Sequence, residues 1–226
     1  MQALDINYPY KMTTLKGLNW LRLYLITNRS LFESDNNFLE ASEAALMGGV
    51  RALQLREKNL TDCELIELGN QLRILTSNYN AKLIMNSRAD IAKIIDADGV
   101  HLTENSAHAN EIKSTFPDLI VGVSTHSLEA AQTAEAQGAD YITFSPIYAT
   151  PSKANYGPPQ GLGLLRQVSQ EVNLPVLALG GITLHRVSEC LEQGAFGVAL
   201  ISDIWNSSHI KEHSFKYTQK FGGNTL

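Results

Sequence analysis

The chain has 226 residues, of which 44% are hydrophobic and 18% charged, and its formal net charge is −5. That length and composition suit one α/β barrel with a sizeable core and exclude disordered, collagenous and coiled-coil classes. The acidic balance, with no long basic stripe, argues against a nucleic-acid partner, and no apolar run approaches the roughly 18 residues of a membrane span.

In chain order, Met1 to Lys16 lacks the basic-then-apolar order of a signal peptide, so residues 1–20 read as an N-terminal extension and a cytoplasmic location is expected. The first strand is predicted at Leu21–Thr27, followed by a helix over Asn37–Met47 with Phe38, Ala41, Ala44, Ala45 and Leu46 at helical spacing. A second strand, Ala52–Arg56, precedes Thr61-Asp62-Cys63-Glu64, which reads as a capping box opening a helix through Leu65, Leu68, Leu72 and Leu75. Further strands are predicted at Lys82–Asn86, Gly99–Leu102, Ile120–Ser124, Tyr141–Ser145, Pro175–Gly180 and Gly197–Ile201. Helical patterns fall at Asp90–Ala97, Leu128–Gln137 and Arg186–Gln193, and Asn206–Leu226 ends the chain as a helix fraying into Gly222-Gly223. The strands are nearly continuous in apolar residues, as strands buried on both faces must be.

A weak repeat supports this reading. Gly48-Gly49-Val50, Asp98-Gly99-Val100, Gly138-Ala139-Asp140 and Gly194-Ala195-Phe196 each close a helical pattern and lead into a strand, with glycine expected at the helix C-terminus. Eight βα units predict a (β/α)8 barrel in one domain, residues 21–206, with 207–226 as a C-terminal helix or tail. An open doubly wound sheet is the alternative, but no G-x-G-x-x-G follows the first strand. The two cysteines, Cys63 and Cys190, have no metal-ligand spacing and predict ordinary thiols.

A barrel of this kind places its chemistry at the C-terminal ends of the strands. After strand two, alternation puts Gln54 and Arg56 on one face, and Lys58 continues that face if the chain stays extended; two cations and an amide can hold a phosphoryl group. Asn86 after strand three either donates to an anion or heterocycle or caps the helix beginning near Ala89. His126 after strand five can shuttle a proton beside the N-cap Ser127, whereas His101 lies within a strand as an inner-barrel histidine. The loop Thr150-Pro151-Ser152-Lys153 with Tyr156-Gly157-Pro158-Pro159 is suited to close over a charged ligand. Gly180-Gly181-Ile182-Thr183 and Leu200-Ile201-Ser202 stand where barrels bind phosphate on backbone N–H groups.

Taken together, Leu23–Thr27, Gln54–Lys58, Gly99–Leu102, Gly122–Ser127, Ser145–Tyr148 and Gly180–Ile182 stand in an order that resembles the thiamin phosphate synthase/TenI superfamily, from Leu21 to about Asn206. The synthases join an aminopyrimidine diphosphate to a thiazole phosphate and release pyrophosphate with Mg2+ assistance. The resemblance implies that Gln54, Arg56 and Lys58 contact the pyrimidine diphosphate, with Asn86, Ser124 and Lys153 at the pyrophosphate. It implies Thr150 and Ser152 beside the thiazole, and Gly181, Ile201 and Ser202 at its phosphate, with Gly180 in the same turn. His126 matches the family's shuttle histidine.

One departure concerns the metal. The family's Mg2+ carboxylates fall at Ser87 and Ser106, leaving Glu104 as a weak substitute ligand. The expectation is therefore a TenI-like thiazole tautomerase that needs a phosphate anchor, a proton shuttle and no metal. The alternatives are a synthase with a relocated or absent Mg2+ site, a non-catalytic thiamin-metabolite-binding regulator, and an unrelated sugar-phosphate isomerase. Homo-oligomerisation is left open.

Overall fold

Eight parallel strands alternate with helices in a computed structural model that describes residues 17–104, 106–150 and 158–222. The strands are β1 (Leu23–Ile26), β2 (Ala52–Leu55), β3 (Lys82–Asn86), β4 (Gly99–Leu102), β5 (Ile120–Thr125), β6 (Tyr141–Phe144), β7 (Val176–Leu179) and β8 (Gly197–Leu200). Each pairs with its chain neighbour, and β1 pairs with β8 through Leu23↔Val198 and Leu25↔Leu200, so the sheet closes into a barrel. Closure excludes the open doubly wound sheet.

The helices are α1 (Asp35–Met47), α2 (Asp62–Asn78), α3 (Ala89–Ile94), α4 (Ala109–Thr115), α5 (Leu128–Ala136), α6 (Gly161–Glu171), α7 (Val187–Glu192), α8 (Ser202–Trp205) and α9 (Ile210–Gln219). The predicted capping box is formed: Thr61 Oγ1 accepts from the Glu64 N–H, and Glu64 Oε2 accepts from the Thr61 N–H at 2.8 Å. Ser127 Oγ likewise accepts from the Ala130 N–H and starts α5. Helices α4, α6 and α8 were not predicted. None of the described helices is long and apolar enough to cross a membrane.

Several boundaries differ from expectation. Residues 19–21 form a 3-10 turn, so β1 begins at Leu23, and β2 ends at Leu55, one residue before Arg56. The repeat holds through Gly49, Gly138 and Gly194, all with positive φ, but fails at Asp98-Gly99. There the left-handed residue is Asp96, and Gly99 is needed instead because a Cβ would lie 2.3 Å from the Ile120 carbonyl across the strand pair.

Strand alternation divides the core into two layers. Outward-facing residues such as Leu25, Leu53, Leu83, Val100, Val121 and Val198 pack beneath the helices. Inward-facing Tyr24, Ile84, Tyr141, Leu177 and Phe196 fill the barrel. Gly122 makes room in that layer, since a Cβ there would meet the Tyr141 ring at 2.2 Å. The C-terminal α9 packs on α1, with Tyr217 and Ser214 buried and the Lys211 carbonyl only 2.4 Å from where a Gly48 Cβ would lie. The short α8 is pinned to the end of β1 by the Trp205 indole, which donates to the Ile26 carbonyl at 2.7 Å.

Candidate active site

A cavity of about 500 Å³ opens at the C-terminal ends of the strands. Its walls come from Thr27 and Asn28 after β1, Arg56 after β2, Ser145, Pro146, Ala149 and Thr150 after β6, Leu179 to Ile182 at β7 and Ala199 to Asp203 at β8. The volume lies in the range of small-ligand sites.

Gly180 and Gly181 shape one wall. Both have positive φ, +97° and +65°, a conformation that costs a residue with a Cβ about 1–2 kcal/mol. Space demands glycine as well, because a Cβ would lie 2.8 Å from Pro146 at position 180 and 2.8 Å from the Tyr148 Cβ at position 181. The loop after β6 lies against this turn, and the Ile147 and Tyr148 N–H groups donate to the Leu179 and Gly180 carbonyls at 2.9 and 3.0 Å. Arg186 donates to the Gly181 carbonyl at 2.6 Å while its guanidinium stacks 4.2 Å above the Tyr148 ring. Tyr148 in turn donates to Glu189 at 2.9 Å. Among the described residues, the N–H groups of Gly181, Ile182 and Ser202 have no backbone acceptor, so the turn presents donors without partners beside the start of α8. Such a cup suits a phosphate.

Asp203 adds a carboxylate at the rim of the cup. Its Oδ2 accepts from His213 at 2.7 Å and from the Tyr217 hydroxyl at 2.6 Å, which ties α8 to α9 and occupies the charge. Burial pushes the Tyr217 hydroxyl pKa up, and the bond to Asp203 raises it further, so Tyr217 stays a donor.

The cation side differs from the extended-strand expectation. The Arg56 N–H donates to Thr27 Oγ1 at 2.9 Å, and its side chain lines the cavity without an ion pair among the described residues. Lys58 does not continue the face, because the chain turns after Arg56 and leaves Lys58 exposed on the rim. Gln54 is buried in the barrel, where its Nε2 donates to the Tyr24 hydroxyl at 3.0 Å. Asn86 does not cap a helix: α3 starts at Ala89 with Arg88 at its N-cap position, and Asn86 Nδ2 donates to Ser87 Oγ at 3.2 Å. Ser124 bonds His101 at 3.0 Å.

His126 stands beside the cavity rather than on its wall. Its Nδ1 donates to the Ser145 carbonyl at 2.7 Å, and since a carbonyl can only accept, the neutral ring bears its lone pair on Nε2. That nitrogen lies 3.9 Å from Glu104 Oε2. The predicted residues brought onto the cavity wall are thus Arg56, Thr150, Gly180, Gly181, Ile201 and Ser202. Gln54, Asn86, Ser124 and His126 lie apart from that wall, and Ser152 and Lys153 fall outside the described residues.

The residues present do not fit a Mg2+ site. Ser87 Oγ accepts from Asn86, Ser106 Oγ donates to the Thr103 carbonyl at 2.8 Å, and Glu104 Oε2 lies 3.9 Å from His126. Among the described residues no three His, Cys, Asp or Glu side chains converge on one point. Mg2+ favours an octahedron of hard oxygens, usually with one or two carboxylates from the protein, and Glu104 alone beside two neutral hydroxyls engaged elsewhere is a poor match. Ser87 nevertheless keeps a left-handed backbone, φ +63°, which asparagine and aspartate adopt more readily than serine.

Sequence reasoning missed Thr27, Asn28 and Asp203, which carry no distinctive spacing, and Arg186, whose role depends on a fold of the chain back onto Gly181. It placed Cys63 and Cys190 correctly as free thiols, one exposed and one buried.

Comparison with known proteins finds one family along the barrel. Residues 23–204 match the family model described as thiamine monophosphate synthase (TMP-TENI). The chain is 50% identical over 181 residues, 80% of its length and 96% of the relative's, to a putative thiamine-phosphate synthase 2 of Aquifex aeolicus. It is 38% identical to the thiamine-phosphate synthase of Halalkalibacterium halodurans, covering 84% of this chain and 90% of that one. Among solved structures, thiamine phosphate pyrophosphorylase from Pyrococcus furiosus superposes with a TM-score of 0.82 at 35% identity, covering 89% of this chain and 96% of that one.

Proposed function

The chain belongs to the thiamine monophosphate synthase (TMP-TENI) family, and from that premise we propose that it joins an aminopyrimidine diphosphate to a thiazole phosphate. The observation that carries this is that Arg56 and the Gly180–Gly181 cup line one cavity from opposite sides of β1. A reaction between two phosphorylated reactants needs a second anion-binding place beside the phosphate cup, and Arg56 supplies a cation there. The names of the relatives favour the same choice, and they correct the expectation from sequence, which put tautomerisation first.

In this reading the cup anchors the thiazole phosphate through the Gly181, Ile182 and Ser202 N–H groups. The thiazole nitrogen attacks the pyrimidine methylene, the carbon–oxygen bond to the diphosphate breaks, and its electron pair leaves on the diphosphate oxygen. Arg56 on the wall and Lys58 on the rim offset the charge that develops there. No step is assigned to a metal held by this chain, because the serines at 87 and 106 do not provide its ligands.

The test is to incubate the protein with both substrates, with and without Mg2+, and to follow thiamin phosphate and pyrophosphate together. Arg56→Ala is expected to lower kcat/KM about 10- to 100-fold, as loss of a charge-assisted bond does. If no thiamin phosphate forms at any Mg2+ concentration while a carboxythiazole phosphate is tautomerised in a His126-dependent way, the proposal is wrong.

A further inference from the structure

The barrel interior carries a continuous line of hydrogen bonds that the reaction does not use directly. It runs from Gln54 Nε2 to the Tyr24 hydroxyl (3.0 Å), on to the Tyr141 hydroxyl (2.9 Å), to His101 Nδ1 (3.2 Å), and from His101 Nε2 to Ser124 Oγ (3.0 Å). Tyr24, Tyr141 and His101 are all buried.

We infer that His101 is a positioning residue: this line fixes its tautomer and thereby makes the Ser124 hydroxyl a donor to an anionic oxygen at the mouth. The direction follows from counting protons. Tyr24 accepts from the amide, so its own hydrogen must go to Tyr141, because among the described residues its hydroxyl has no other partner and a buried donor left unpaired is costly. The Tyr141 hydrogen then goes to His101 Nδ1, which is therefore bare. Burial, with a smaller contribution from the Arg56 charge, pushes the His101 pKa down to about 3, so the ring is neutral and its one proton sits on Nε2. That N–H donates to Ser124 Oγ at 3.0 Å, with Thr143 Oγ1 farther off at 3.4 Å. Ser124 is the acceptor in that bond, which leaves its own hydrogen for another partner. The opposite tautomer would draw that hydrogen inward and turn a lone pair toward the ligand, which repels an anion.

The inference rests on the family resemblance, which implies Ser124 as a pyrophosphate contact, and the experiment separates the two. The His101 tautomer is read by 15N NMR in the unmodified protein, which needs no variant. Inorganic pyrophosphate affinity is then measured by calorimetry for wild type, Ser124→Ala, Tyr141→Phe and the double variant.

The expected results are an Nε2-protonated His101 that becomes a tautomer mixture in Tyr141→Phe, and a loss of about tenfold in affinity for Ser124→Ala. Tyr141→Phe is expected to weaken binding several-fold alone and to add nothing to Ser124→Ala, because both act through one hydroxyl. An Nδ1-protonated ring, unchanged binding in Tyr141→Phe, or effects that simply multiply would overturn the relay while leaving the site reading intact. Wild-type affinity in Ser124→Ala would instead remove Ser124 from the diphosphate site, and its proposed role with it, whatever the tautomer.

Discussion

Replacing Gly181 with alanine tests the phosphate cup at its narrowest point. The left-handed backbone, φ +65°, costs a residue with a Cβ about 1–2 kcal/mol. The added methyl also lands 2.8 Å from the Tyr148 Cβ and 3.1 Å from the Ala149 carbonyl, a crowding that costs about 1–3 kcal/mol because backbone must shift. Together these predict a loss of about 2–5 kcal/mol, read as a fall of roughly 4–20 °C in the melting temperature for a chain of this size. The same shift moves the 181 and 182 N–H groups, so affinity for a thiazole phosphate is expected to fall about tenfold or more. Gly163→Ala supplies the contrast: it lies in α6 with nothing within 4 Å of the new methyl, and a gain of about 0.5–1 kcal/mol is expected. Scanning calorimetry and ligand titration on both variants decide the matter. If Gly181→Ala melts and binds like the parent, the cup does not depend on the close approach described above.

Three further outcomes are expected. Introducing Ser87→Asp with Ser106→Asp should raise Mg2+ affinity at least tenfold in calorimetry with pyrophosphate present, since aspartate is better suited to φ +63° and two carboxylates join Glu104; no change would disconnect these positions from the diphosphate side. Asp98→Asn should cost about 2–4 kcal/mol in denaturant titrations at neutral pH, because it removes the charge that pairs with Arg73 and Lys82 and one of the two oxygens that accept from Arg73, Lys82 and the Leu83 N–H. Burial pushes the Asp98 pKa up, yet the bonds from Lys82, Leu83 and Arg73 outweigh it and hold the carboxyl below its ordinary range. Its stabilisation is therefore present above that range and lost as pH falls through the depressed value, an acid-side loss that Asp98→Asn should lack. Thiol titration of the native protein should label Cys63 and spare Cys190, whose buried thiol is pushed up to about 11, until denaturant exposes it.

Much of the barrel was legible because its signals are local. A strand buried on both faces must be apolar along its length, and all eight were found within about two residues of their ends. The capping box at Thr61 and the N-cap at Ser127 are side-chain bonds spanning three residues, so spacing alone announces them. The helices α4, α6 and α8 gave weaker signals, being short or, for α6, following a long stretch of sequence rich in proline and glycine. The condition set for Lys58, that the chain stay extended, fails because whether it does so past a strand end depends on what it meets there.

Sequence alone determined the number of βα units, the glycine pair at Gly180–Gly181 and the loss of acidic side chains at Ser87 and Ser106, since each is a matter of residue type at a position. Only the tertiary structure decided how those residues share the work. Closure of the barrel brings Arg56 into one cavity with the Gly180–Gly181 cup, although about 125 residues separate them. It also lines up Gln54, Tyr24, Tyr141, His101 and Ser124 from five strands. Hydrogen-bond direction is a property of such a closed network, because each buried proton must find an acceptor and the choice at one residue dictates the next.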